Sequence, residues 1–134
     1  MGSPDLCTEQ EIADMVRRFY DAVRQDKQLG PIFDTYIGDW DHHLAKLTDF
    51  WSSVLRGTRR FRGTPMPKHV AVPDLSAALF ERWLALFREC AALQPNRKMG
   101  EYAYDMAQRI AESLWYGYQM SRRPETVPTE LGDA

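Results

Sequence analysis

The chain has 134 residues, 44% of them hydrophobic, and a net charge of −2 with both signs mixed along its length. That length suits a single domain with one core, and the charge gives no global pull toward nucleic acid or anionic lipid. Two cysteines do not make a disulfide framework, no run is long enough to span a membrane, and the N-terminus lacks a signal-peptide core or the Ser/Thr that myristoylation needs. A cytoplasmic setting is the expectation.

Thr8 to Glu11 has the form of a capping box, so a helix should follow. Ile12, Met15, Val16, Phe19, Tyr20 and Val23 recur at helical spacing to about Asp26. Tyr20 lies at the edge of that face, about 80° from Ile12 on a wheel of 100° per residue. A phenol there can bury its ring, but its hydroxyl needs a partner. Gly30-Pro31 punctuates the chain, and Pro31 suits the first turn of a short helix. Phe33, on a piece too short to have its own core, must pack on something else.

The most apolar helix runs from Trp40 to Leu55. Trp40, Leu44, Leu47, Phe50, Trp51, Val54 and Leu55 fill an arc of roughly 140°, with His43 inside it and His42 outside. His43 therefore faces whatever this helix covers, either as a core histidine or as part of a site. Arg56 to Lys68 holds Gly57, Gly63, Pro65 and Pro67, which excludes a long helix. Its Arg56, Arg59, Arg60, Arg62 and Lys68 read as a solvated loop or as an anion clamp. His69 follows, bracketed by Pro67 and Pro73, with room for little more than one helical turn.

Asp74 or Ser76 can cap the next helix, whose apolar face is Leu79, Phe80, Trp83, Leu86, Phe87 and Cys90. Trp83 is near the centre of that face, and its indole N–H needs an acceptor when buried. Gln94-Pro95-Asn96 ends this helix. The last one runs from about Arg97 to Gln119, with Ala103, Met106, Ala107, Ile110, Leu114 and Gly117 on one side. Residues 1–122 form the expected domain, and 123–134, with Pro124 and Pro128, are expected to be a disordered tail. No segment alternates with a strand period, so the fold class is all-α: four main helices and two short pieces.

The chain has no nucleophile elbow, phosphate-binding loop, CxxC or HExxH pattern, and no dinucleotide fingerprint. What remains is a helix histidine, a pinned histidine 26 residues later, an excess of inward aromatics, and a basic loop. Haem asks for such a set: an axial nitrogen, flat apolar walls, cations for two propionates, and polar groups on the other iron face. Zinc asks for three or four ligands; of the three histidines, two are adjacent and diverge on a helix.

From roughly Glu11 to Gln119 the chain resembles the third group of truncated haemoglobins. Phe19-Tyr20, Leu29-Gly30-Pro31-Ile32-Phe33 and Trp40-x-x-His43 with Phe50-Trp51 carry the likeness in the first half. Pro67-Lys68-His69 with Pro73, and Phe80-x-x-Trp83-Leu84-x-Leu86-Phe87, carry it in the second. The resemblance implies a shortened globin fold, a two-over-two helical sandwich around a haem b, with the proximal helix cut to about one turn. It implies that His69 is the proximal iron ligand, Tyr20 and Trp83 the distal donors, His43 the distal helix histidine, Phe33 a haem-packing residue, and Leu47 an apolar distal position. Gly-Gly pairs at the helix junctions, common in other truncated globins, are absent here, as they commonly are in this group. Arg59, Arg60, Arg62 and Lys68 are the candidates for the propionates.

The function so implied is binding of O2, CO, NO or a similar ligand at a five-coordinate haem iron, in a redox or detoxification role rather than transport. It would require a reductase, still unidentified, in a monomer or weak homo-oligomer, with no nucleic-acid or membrane partner. Peroxidase-like or NO and nitrite chemistry on the same haem is one alternative, with His43 as the base. A cofactor-free helical interaction module is the other.

Overall fold

The computed structural model describes residues 2–61 and 75–131. Five α-helices make up the described residues, with no strand: α1 (Glu9–Gln25), α2 (Leu29–Tyr36), α3 (Trp40–Arg56), α4 (Ala77–Ala92) and α5 (Arg97–Arg122). The one-turn piece expected around His69 lies outside the described residues.

Each long helix begins where a side chain takes up an orphan backbone N–H. The Thr8 hydroxyl accepts from the Glu11 N–H at 3.1 Å while the Glu11 carboxylate accepts from the Thr8 N–H at 2.9 Å, the expected box. Asp39, Ser76 and Asn96 cap α3, α4 and α5. The α3 helix stops at Gly57, whose φ of 70° is left-handed backbone that glycine adopts without a Cβ clash.

The core is a set of aromatic contacts between α1, α3 and α4. Phe19 and Phe87 are both 1% exposed. Phe19 meets Tyr20, Trp83 and Phe87 edge-on at centroid distances of 4.8, 5.2 and 4.8 Å. Trp51 and Trp83 each stack on Phe87, at 5.2 and 5.5 Å.

The α4–α5 pairing is close. The buried stripe of α5 is Met99, Gly100, Ala103, Ala107 and Ala111, continuing into Leu114, Trp115 and Tyr118. Small residues let the two backbones approach, and a Cβ at Gly100 would collide with the Ala91 carbonyl. A smaller apolar cluster, of Phe80, Ala111, Leu114, Trp115 and Tyr118, closes the far end. Residues 123–131, for which the sequence suggests disorder, form no helix; Gln119 accepts from the Thr129 N–H at 2.9 Å, and Glu112 from the Leu131 N–H at 2.9 Å.

Candidate haem pocket

Only part of the α3 apolar arc is core. Trp51 and Leu55 are buried, at 2% and 0% exposure, while Leu44, Leu47, Phe50 and Val54 are half-buried. His43, Leu47, Phe50 and Trp51 face a cavity, whereas the end of α3 is tied to α1 through Ser52 and Arg56, which both meet Glu9. That cavity has a volume of about 190 Å³ and opens to solvent. One wall comes from α1, α2 and α3: Tyr20, Phe33, His43, Leu47 and Phe50. The other comes from α4 and α5: Leu79, Phe80, Trp83, Ile110 and Leu114.

Five of the six residues expected at the site, Tyr20, Phe33, His43, Leu47 and Trp83, line this single cavity. The sixth, His69, lies outside the described residues. The α5 wall of Ile110, Ala111 and Leu114, together with Phe61 and Leu75, is not among the residues the sequence singles out for the site. Their apolar character is legible in it; which part of an apolar face borders the core and which a cavity is not.

Tyr20 is the polar centre of the site. Its place on the helical wheel suggests an edge tyrosine, but it is 5% exposed. Burial pushes its phenol well above the ordinary tyrosine value, against the nearby Trp83 indole, which lowers it. The hydroxyl is therefore neutral at any physiological pH. An indole N–H can only donate, so toward Trp83 the Tyr20 hydroxyl can only accept, and its own hydrogen stays available.

His43 is half-buried and His42 exposed, as the helical wheel requires. The His43 ring stands edge-on to Tyr20 at 6.1 Å and to Trp40 at 5.8 Å. Trp40 is held from outside: the Arg24 guanidinium lies 4.4 Å from its ring centroid, and its indole N–H donates to Asp34 at 3.3 Å.

The described part of the basic stretch, read from sequence as a solvated loop or an anion clamp, makes ion pairs within the chain. Arg56 pairs with Glu9, and Arg60 lies 3.4 Å from the same carboxylate. Glu9 also accepts from the fully buried Ser52 hydroxyl at 2.7 Å. Two of the cations thus serve an internal carboxylate; Arg62 and Lys68 lie outside the described residues. No group of three or more metal-ligating side chains occurs among the described residues.

These walls fit a haem. The cavity is lined almost wholly by apolar side chains. Its sides are aromatic and branched aliphatic. Its buried hydroxyl is neutral, so the site can offer a hydrogen-bond donor without placing a charge in apolar surroundings.

A family model of bacterial-like globins matches residues 5–114. The chain is 37% identical over 121 residues to the group 3 truncated hemoglobin ctb of Campylobacter jejuni, covering 85% of this chain and 95% of that protein. The crystal structure of a group III truncated hemoglobin from Campylobacter jejuni superposes with a TM-score of 0.78 at 34% identity, covering 90% of this chain and 96% of the other.

Proposed function

The chain belongs to the bacterial-like globins, in the third group of truncated haemoglobins, and on that premise we propose that it binds haem b through His69 and holds a diatomic ligand such as O2 against Tyr20. The shortened globin fold goes with haem-based binding of a small ligand. Haem iron supplies the position at which such a ligand binds, and this chain's residues decide how it is held.

The observation that carries the reading is the buried, neutral Tyr20 hydroxyl on the cavity wall, with the Trp83 indole beside it. A donor of this kind stabilises a ligand atom that gains negative charge, at roughly 1.5–3 kcal/mol for a bond to a charged acceptor. Trp83 orients the phenol, and Phe19 backs both rings. Phe33, Leu47 and Phe50 exclude water and give the macrocycle flat apolar contacts. His43 stands between Tyr20 and Trp40, where it would gate access. A strongly held ligand suits redox or detoxification chemistry, which would draw electrons from a reductase. The two buried, unpaired cysteines, Cys7 and Cys90, suit a reducing compartment.

A second reading, peroxide or nitric oxide turnover, is favoured by His43, an imidazole on the cavity wall that could pass a proton near neutral pH. Titrating the haem-free protein with haemin tests the first reading. It should bind one equivalent, and His69→Ala should lose most haem or the nitrogen ligand. Full haem content with an unchanged ferrous spectrum in that variant would remove His69 from its role.

A further inference from the structure

Three helices meet on one side chain at the edge of the cavity, Trp40. It is the first residue of α3, whose start is fixed by the Asp39 cap. Its indole N–H donates to Asp34 of α2 at 3.3 Å, and the Arg24 guanidinium of α1 lies 4.4 Å from its ring centroid. Arg24 and Asp34 are themselves 4.0 Å apart. The ring also stacks on Phe33 of α2 at 6.5 Å and 27°. An indole can only donate and a carboxylate can only accept, so the Asp34 bond sets which way the ring turns. The cation and Phe33 then bear on its flat surface.

Trp40 is not among the residues that line the cavity, but its ring neighbours Tyr20, Phe33 and His43 are. The rings of Tyr20, His43 and Trp40 form a nearly equilateral triangle. Tyr20 and His43 are 6.1 Å apart, His43 and Trp40 5.8 Å, and Tyr20 and Trp40 6.3 Å. Tyr20 is its buried corner and Trp40 a half-buried one. Side chains on an α-helix lean toward its N-terminus, so the His43 imidazole leans toward Trp40, one turn earlier.

We infer that Trp40 is a positioning residue for His43: pinned by Asp34 and Arg24, its ring limits the outward movement of the imidazole and so sets how fast a diatomic ligand enters the cavity. The inference rests on the reading of His43 as the residue that controls access. It gives a role to two exposed charges outside the pocket. Contacts of this exposed kind are individually weak, which suits a stop that has to yield each time a ligand passes.

Flash photolysis of CO from the haem-loaded ferrous protein tests it, with Asp34→Ala and Arg24→Gln, both at exposed positions. Each should speed CO association about two- to fivefold, what one exposed cation–π contact is worth. In a His43→Leu background the same two changes should have no effect. His42→Gln, at the exposed neighbouring position, should leave the wild-type rate unchanged. In the haem-free protein, a ring-to-ring nuclear Overhauser contact between Trp40 and His43 should be present in wild type and weaken in Asp34→Ala. Unchanged association in both variants, or equal acceleration in the His43→Leu background, would overturn the inference. So would faster O2 release at unchanged association, which would put Trp40 behind Tyr20 instead. Failure of the underlying reading looks different: His43→Leu would then show the wild-type association rate, with the Trp40–His43 contact and its weakening in Asp34→Ala intact.

Discussion

One buried ring, Phe19, stands edge-on to both Tyr20 and Trp83, at 4.8 and 5.2 Å, and the Trp83 indole lowers the pKa of the Tyr20 phenol that burial raises. An indole N–H can only donate, so we expect Trp83 to donate to the phenol and leave the phenol to donate onward. Two donors aimed separately at a ligand would act in parallel; this pair would act in series.

That order makes the two residues unequal. Tyr20→Phe should speed O2 release by about 10- to 150-fold, the rate equivalent of losing roughly 1.5–3 kcal/mol. Trp83→Phe should have a smaller effect, because Tyr20 keeps its own hydrogen and loses only its orientation. The double variant should be non-additive, since the two groups share one network. Stopped-flow release rates for the four proteins decide it, and equal, additive effects would mean that the donors act independently.

His43 should control access in a pH-dependent way. It is half-buried at the cavity wall between Tyr20 and Trp40, and a charged imidazole is costly in apolar surroundings. Protonation thus favours the outward position, and ligand association should speed up as pH falls through about 8 to 5, where histidine usually titrates. His43→Leu should abolish the dependence. Flash-photolysis rates that stay flat over that range in wild type would leave His43 as a static wall residue.

The tie between Glu9, Ser52 and Arg56 should govern acid stability. Burial pushes the Glu9 carboxyl up, but the Ser52 hydroxyl and the Arg56 and Arg60 guanidinium groups outweigh it and hold the group below the ordinary glutamate value. A carboxyl lowered on folding contributes stability above its unfolded pKa and loses it as pH falls through the folded value. Glu9→Gln should therefore destabilise at pH 7 and flatten the acid arm of a plot of melting temperature against pH. Ser52→Ala should cost roughly 1.5–3 kcal/mol, the worth of a hydrogen bond to a charged acceptor, and the loss should appear in urea unfolding at neutral pH.

Gly100→Ala should destabilise by about 1–3 kcal/mol, the usual cost of overpacking. The added methyl would run into the Ala91 backbone rather than a side chain that could turn away. Denaturant unfolding checks it; no loss would mean that α4 and α5 can separate cheaply.

Most helices and half of the pocket are legible in the amino-acid sequence. Thr8-x-x-Glu11, Ser76 and Gly57 act locally, so their roles follow from neighbours in the chain. The 3.6-residue period separates His43 from His42 for the same reason. What stays hidden depends on partners distant in sequence. Arg56 and Arg60 read as loop cations because nothing in a linear reading brings Glu9 to them. Tyr20 reads as an edge residue because Trp83, which lines the same cavity and acts on its phenol, lies 63 positions further on, on α4. The split of α3 into a core end and a cavity wall is a tertiary fact with no local signature.

The absorption spectrum of the dithionite-reduced protein, before and after CO, tests the central claim most directly. A haem held by His69 in the cavity that Tyr20, Trp83 and Leu47 line predicts a Soret band of five-coordinate ferrous haem that shifts promptly when CO is added. A purified protein that takes up no haem and shows no Soret band would contradict the account. So would a six-coordinate, bis-histidine ferrous spectrum, which would put His43 on the iron.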